Sequence, residues 1–171
     1  AGGLEFRMGD DRFSQVVFDV GGRNCAVPAA AVREVVHYAE LARPPGMPKV
    51  LEGFLNYAGD VLPVIRLDRL FDLPGPAPGL YSPMLVLRPS YGRLVVLVDS
   101  VRAVTEVDRG ALRPIDDTAA FNGCVQAEVT VRDQTVHVLA IEHILLEQER
   151  RRMDELRDMV TQRLADLGGA A

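Results

Sequence analysis

GFLNYAGDVLPVIRL, residues 53 to 67, decides the fold. It reads as two strands joined by a tight turn at Ala58-Gly59-Asp60, because Gly59 supplies the positive φ that such turns require. In the second strand Val61, Pro63 and Ile65 fall on one face and Leu62, Val64 and Arg66 on the other. Both faces are therefore largely apolar, as expected of the central hairpin of a small β-barrel. Pro63 cannot donate to a ladder, which places it at an edge or a bulge. The stretch carries no catalytic group and points to a packed scaffold.

Toward the N-terminus, residues 14–20 alternate, with Val16, Phe18 and Val20 on one side. Gly21-Gly22 turns this strand into a second one, residues 23–27. Pro28 opens a short helical segment over residues 29–36, in which Val32, Val35 and Val36 have i, i+3, i+4 spacing. Three prolines in residues 41–48 force an extended crossover into the central hairpin, and residues 67–71 make one helical turn.

Toward the C-terminus, residues 72–83 hold four prolines and two glycines in twelve positions, a loop or hinge that marks a lobe boundary. Strands follow at residues 84–88, 93–98, 101–107, 124–131 and 134–140, giving a second five-strand set. Many short strands with little helix between them indicate antiparallel barrels. From Ile141 a helix runs to Leu167, with Gly168-Gly169 as its stop and i, i+4 pairs at Glu147–Arg151 and Arg151–Glu155. Its stripe of Met153, Leu156, Val160, Leu164 and Leu167 packs on its own barrel or meets a partner or second copy.

Composition excludes several functions. With 171 residues, 48% of them hydrophobic, the chain builds one domain or two small lobes around a shared core. A net charge of −5 without a basic run argues against nucleic acid. Lys49 is the only lysine among 19 basic residues. No apolar run approaches the roughly 20 residues of a spanning helix, and the N-terminal AGGLEFRMGDDRF lacks signal-peptide order. A soluble, intracellular, cytoplasmic protein without membrane insertion is expected. Cys25 and Cys124 lie far apart in strand-like sequence and read as buried free thiols, and His37, His137 and His143 show no ligand spacing, so no metal site is expected. An enzyme would have to draw on Cys25, Cys124, His37 and Asp99, and Asp99 at a turn is explained by hydrogen bonding in the fold.

Four pieces in order, VVFDVGG with AVPAAAVREVV, GFLNYAGDVLPVIRL, RLVVLVDSVRAV and VHVLAIEHIL, make the chain resemble the CheW-like family of bacterial chemotaxis adaptors. The resemblance covers residues 13–146, with residues 147–171 as a C-terminal helical extension. It implies a mainly β fold: two interleaved SH3-like five-stranded barrels sharing a hydrophobic core, short connecting helices and a long amphipathic C-terminal helix. It implies no cofactor and no catalysis. The implied partners are the helical cytoplasmic tip of a chemoreceptor and the regulatory domain of a CheA-type histidine kinase. By this likeness Val32 and Glu34 lie near the receptor groove, and Leu55, Asn56, Tyr57, Ala58, Gly59 and Asp60 match the partner-contacting segment. Two positions depart from the family: Ala58 replaces the arginine of an NLRG turn, and Arg66 replaces the aspartate of a PVVDL strand. These departures bear on partner choice, so an accessory, non-flagellar pathway, or self-assembly through the C-terminal helix, stands beside the core adaptor role.

Overall fold

The computed structural model describes residues 12–75, 77–115, 124–141 and 144–169. The central hairpin forms as its sequence dictates: β4 (Leu51–Tyr57) pairs antiparallel with β5 (Asp60–Arg66), Tyr57 opposite Asp60. Only two residues close it, Ala58 at φ 51° and Gly59 at φ 87°, the left-handed pair that matches strand twist. The Gly59 N–H donates to Asn56 Oδ1 at 3.0 Å. Pro63 does not sit on an edge strand, since β5 lies between β4 and β7. It is tolerated because pairing with β7 (Val95–Leu97) begins only at Val64.

The first hairpin, β1 (Arg12–Val20) with β2 (Arg23–Pro28), also forms as read. Gly21 is required there: a Cβ would stand 2.5 Å from Leu73 Cβ. The segment after it does not become a helix. Residues 29–31 make one tight turn, and β3 (Val32–His37) follows. The β-branched Val32, Val35 and Val36 prefer the pleated surface and pair with β6 (Pro83–Leu87). Residues 67–70 make the expected single turn, α1 (Leu67–Leu70). The remaining strands are β8 (Ser100–Asp108), the two-residue β9 (Arg113–Pro114), β10 (Val125–Val131) and β11 (Gln134–Leu139).

Two sheets result, ordered β8-β1-β2-β11-β10-β9 and β3-β6-β7-β5-β4. They define a first and a second lobe and correct the expected division. Residues 72–83 are no lobe boundary, because strands on both sides of them belong to the second sheet. The chain changes lobe between β2 and β3 and again between β7 and β8, and a parallel β2–β11 pairing joins the N-terminal and C-terminal strands of the first lobe. The first sheet has six strands where five were expected, β9 being the addition.

Three apolar clusters explain why both hairpin faces are apolar. Val61 and Ile65 join Phe18, Val27, Leu85 and Leu139 in a core shared by the lobes. Leu62 and Val64 face Met84 and Val95 in a cluster made by the second sheet. Val17, Val107, Val129 and Val136 form the counterpart in the first. The closing helix α2 (Glu147–Gly169) starts later than residue 141. The Leu146 N–H donates to Glu149 Oε1 at 2.9 Å, a side chain reaching back over the first turn. Met153, Leu156 and Val160 enter the shared core. That corrects their reading as an interface to another molecule. Leu164 and Leu167 remain 38% and 71% exposed. The helix carries i, i+3 pairs, Arg152–Glu155 at 3.1 Å and Arg157–Asp154 at 3.6 Å.

Candidate functional site

The candidate residues near positions 34 and 57 come together although 23 positions separate them in the chain. The register of β3 against β6 shifts between Val32 and Glu34, and this irregularity leaves the consecutive Arg33 and Glu34 both exposed, with the β4–β5 turn presenting residues 56–60 beside them. The Tyr57 hydroxyl donates to Glu34 Oε1. Arg33 lays its guanidinium 5.2 Å from the Tyr57 ring centroid. Arg93 Nη2 holds Asp60 Oδ1 at 2.6 Å. The result is an exposed polar face with one aromatic ring pinned between a cation and an anion.

Two candidates do not belong to it. Leu55 is buried in the second lobe's cluster, packed near Leu62 and Val64. Val32 is half-buried against the shared core. Arg33 and Arg93 were missed by the sequence reading. Reading residues 32–37 as a strand would have put Arg33 and Glu34 on opposite faces, and their joint exposure follows from the register shift between Val32 and Glu34. On the same strand as Glu34, His37 meets the exposed Tyr81 ring edge to face at 6.4 Å.

A groove lies at the lobe junction just before Val32. It encloses about 490 Å³ and is lined by Phe13, Pro28, Ala29, Tyr91, Arg109 and Leu112, among others. Its walls mix apolar side chains with Ser14, Gln126 and Arg109, whose guanidinium lies 4.7 Å from the Phe13 ring centroid.

The charge inversion at Arg66 faces inward. Arg66 is 8% exposed and grips Asp68 with Nε at 3.0 Å and Nη2 at 2.6 Å, while Nη1 lies 3.7 Å from Glu52. Glu52 also takes Arg43 at 3.1 Å and the Tyr38 hydroxyl at 2.9 Å. Burial pushes the Asp68 carboxyl up, but the Arg66 hydrogen bonds and charge outweigh it and hold Asp68 below the usual range. The Arg66 guanidinium is raised, first by its hydrogen bonds to Asp68. Arg66 is therefore a lock within the second lobe.

Asp99 takes the structural role its position foretold, accepting the Gly21 N–H at 2.9 Å. Burial raises its carboxyl above the usual range, with Asp68 and Asp19 adding to that rise and the Gly21 N–H opposing it. Burial pushes the Cys25 thiol up to about 12 and Cys124 to about 11, which removes both as neutral-pH nucleophiles. Both are buried. No group of three His, Cys, Asp or Glu able to hold a metal gathers among the described residues, and His143 lies outside them. No helix there is long and apolar enough to cross a membrane.

Two β lobes packed around one shared core define the fold class of this chain. The chain belongs to the CheW-like domain family, whose model matches residues 14–149. Its fold is similar to that of the scaffolding protein TtCheW from Thermoanaerobacter tengcongensis in a crystal structure. The TM-score is 0.72 at 20% identity, over 80% of this chain and 94% of that one. No curated protein matches the chain.

Proposed function

We propose that this protein is a non-catalytic, cytoplasmic adaptor that couples the helical tip of a chemoreceptor to a CheA-type histidine kinase. The observation that carries the reading is the face built from Arg33, Glu34, Tyr57, Asp60 and Arg93. Its charges are pre-paired and its one ring is fixed, so little side-chain entropy remains to be lost on docking. The kinase regulatory domain is assigned to this face. The groove at the lobe junction, just before Val32, is assigned to the receptor helix, which lays its apolar side against Phe13 and Leu112.

Ala58 removes the long cation the family usually carries at the turn, and Arg93 supplies one from a neighbouring element instead. This relocation favours a cognate kinase of an accessory pathway over a general chemotaxis kinase. Calorimetric titration of the purified chain with the regulatory domain of its cognate CheA-type kinase tests the assignment. Saturable one-to-one binding supports it, and a silent titration at high micromolar concentration refutes it. A second reading, self-association through the end of α2, is favoured by the exposure of Leu164 and Leu167. Truncation after Leu146 removes core residues as well, so the cleaner test is L164S/L167S, whose sedimentation should shift toward the monomer if that reading holds.

A further inference from the structure

The first lobe has an open seam. Among the described residues β8 is hydrogen-bonded to β1 alone and leaves its other edge bare. β10 pairs with β9 at Ala127 and Glu128, and the Ile115 N–H reaches the Gln126 carbonyl oxygen, so among the described residues the outer edge of residues 129–131 is bare as well. Two adjoining hollows run between these edges. One of about 300 Å³ is lined by Val17, Ala103, Thr105 and Val136, and one of about 320 Å³ continues past Val107 and Val129 toward Asp108. They share Thr105, Val131 and Arg132, which makes the seam continuous.

A bare strand edge is a row of unmatched N–H and C=O groups, and an extended peptide matches it residue for residue. The edge over residues 102–108 is about 20 Å long, enough for a six- or seven-residue strand. Along β8, Ala103 and Thr105 point away from the exposed face that holds Arg102, Val104 and Glu106. They are short side chains, and the space they leave above Val17 and Val136 suits an apolar side chain of a ligand. The ends differ in charge. Arg102 lines one hollow and Glu106 and Asp108 the other, while Arg132 stands between them and lines both. Arg102 is held by Asp19 at 2.5 Å, whereas Arg132 has no acidic partner within 4.0 Å among the described residues.

We propose that this seam binds an extended partner peptide as an added strand between β8 and β10, with an apolar side chain over Ala103 and Thr105 and an acidic residue at Arg132. The surface lies on the other lobe from Glu34 and Tyr57, so its test is independent of kinase binding.

The probe is the peptide acetyl-Asp-Thr-Val-Thr-Val-Thr-Arg-amide, titrated into the full chain while backbone amide resonances and hydrogen exchange are followed. Saturable shifts and new protection at residues 102–108 and 129–132 are expected, with no binding by the same peptide N-methylated at alternate amides. Arg132→Glu, an exposed change at a turn, should weaken binding about fivefold while leaving the unfolding midpoint in place. No saturation at millimolar peptide, equal binding of the methylated peptide, or shifts confined to the second lobe would overturn the proposal. So would β8 amides already protected without peptide: protection at every protein concentration means the chain fills its own seam, and protection rising with concentration means a second copy does.

Discussion

Replacing Arg66 with methionine tests whether the second lobe depends on its buried charge cluster. Methionine keeps much of the volume but leaves Asp68 without the partner that meets both its oxygens, and Glu52 with Arg43 and Tyr38 only. Removing one member of a buried pair costs about 3–5 kcal/mol, because the other charge stays buried and unmatched. Against a total stability of roughly 5–15 kcal/mol, that is a large fraction. The chain has no tryptophan, so urea unfolding is best followed by far-ultraviolet circular dichroism. With a slope of about 2 kcal/mol per molar urea, the midpoint should fall by roughly 1.5–2.5 M near neutral pH. The pH dependence adds a second check. In the native protein the Asp68 carboxyl lies below its ordinary 3.8, so its ion pair stabilises above that value and is lost as pH falls through the folded pKa. In the variant, burial is opposed only by the Arg69 N–H and charge, so the carboxyl rises relative to the native protein and its buried charge opposes folding until it is protonated. The gap between the two proteins should therefore narrow as pH falls toward about 4. A midpoint within about 0.5 M of the native one at neutral pH, or a gap that does not change with pH, refutes the lock.

Other perturbations separate packing from recognition. Leu156→Ala opens a void at a fully buried position and should cost about 2–5 kcal/mol in chemical unfolding, whereas Leu167→Ala, 71% exposed, should stay within about 0.5 kcal/mol. Tyr57→Phe removes the hydroxyl bound to Glu34 and should lower affinity for the kinase regulatory domain about fivefold in calorimetry, with the melting temperature nearly unchanged. Ala58→Gly relieves a left-handed alanine and should stabilise by about 0.5–1 kcal/mol, read from the urea midpoint. With thiol pKa values of about 12 and 11, Cys25 and Cys124 should resist a disulfide reagent at pH 8 in the folded protein and react together in denaturant.

The central hairpin was legible because its period of two holds on both faces and its turn has one geometry available. Residues 29–36 were not, since Val32, Val35 and Val36 fit a helix stripe and a strand equally, and only pairing with β6 selects the strand. Proline and glycine in residues 72–83 do mark an irregular segment, but composition cannot tell a link between lobes from a link within one. That distinction rests on long-range pairs such as β2 with β11. At the candidate surface, residues 56–60 were readable from their turn, whereas Arg33, Arg93 and the inward role of Arg66 depend on neighbours from other elements.

The parallel pairing of Cys25 with His137 has a consequence for synthesis. On a ribosome adding about 5–20 residues per second, β2 emerges some 5–20 s before the strand that must lie beside it. During that interval the core around Val16, Phe18 and Val20 lacks Leu139, Ile141 and Leu156, which complete it. Maturation is thereby tied to the arrival of the chain's last third, and nascent molecules that stall earlier are natural clients for chaperones and proteases.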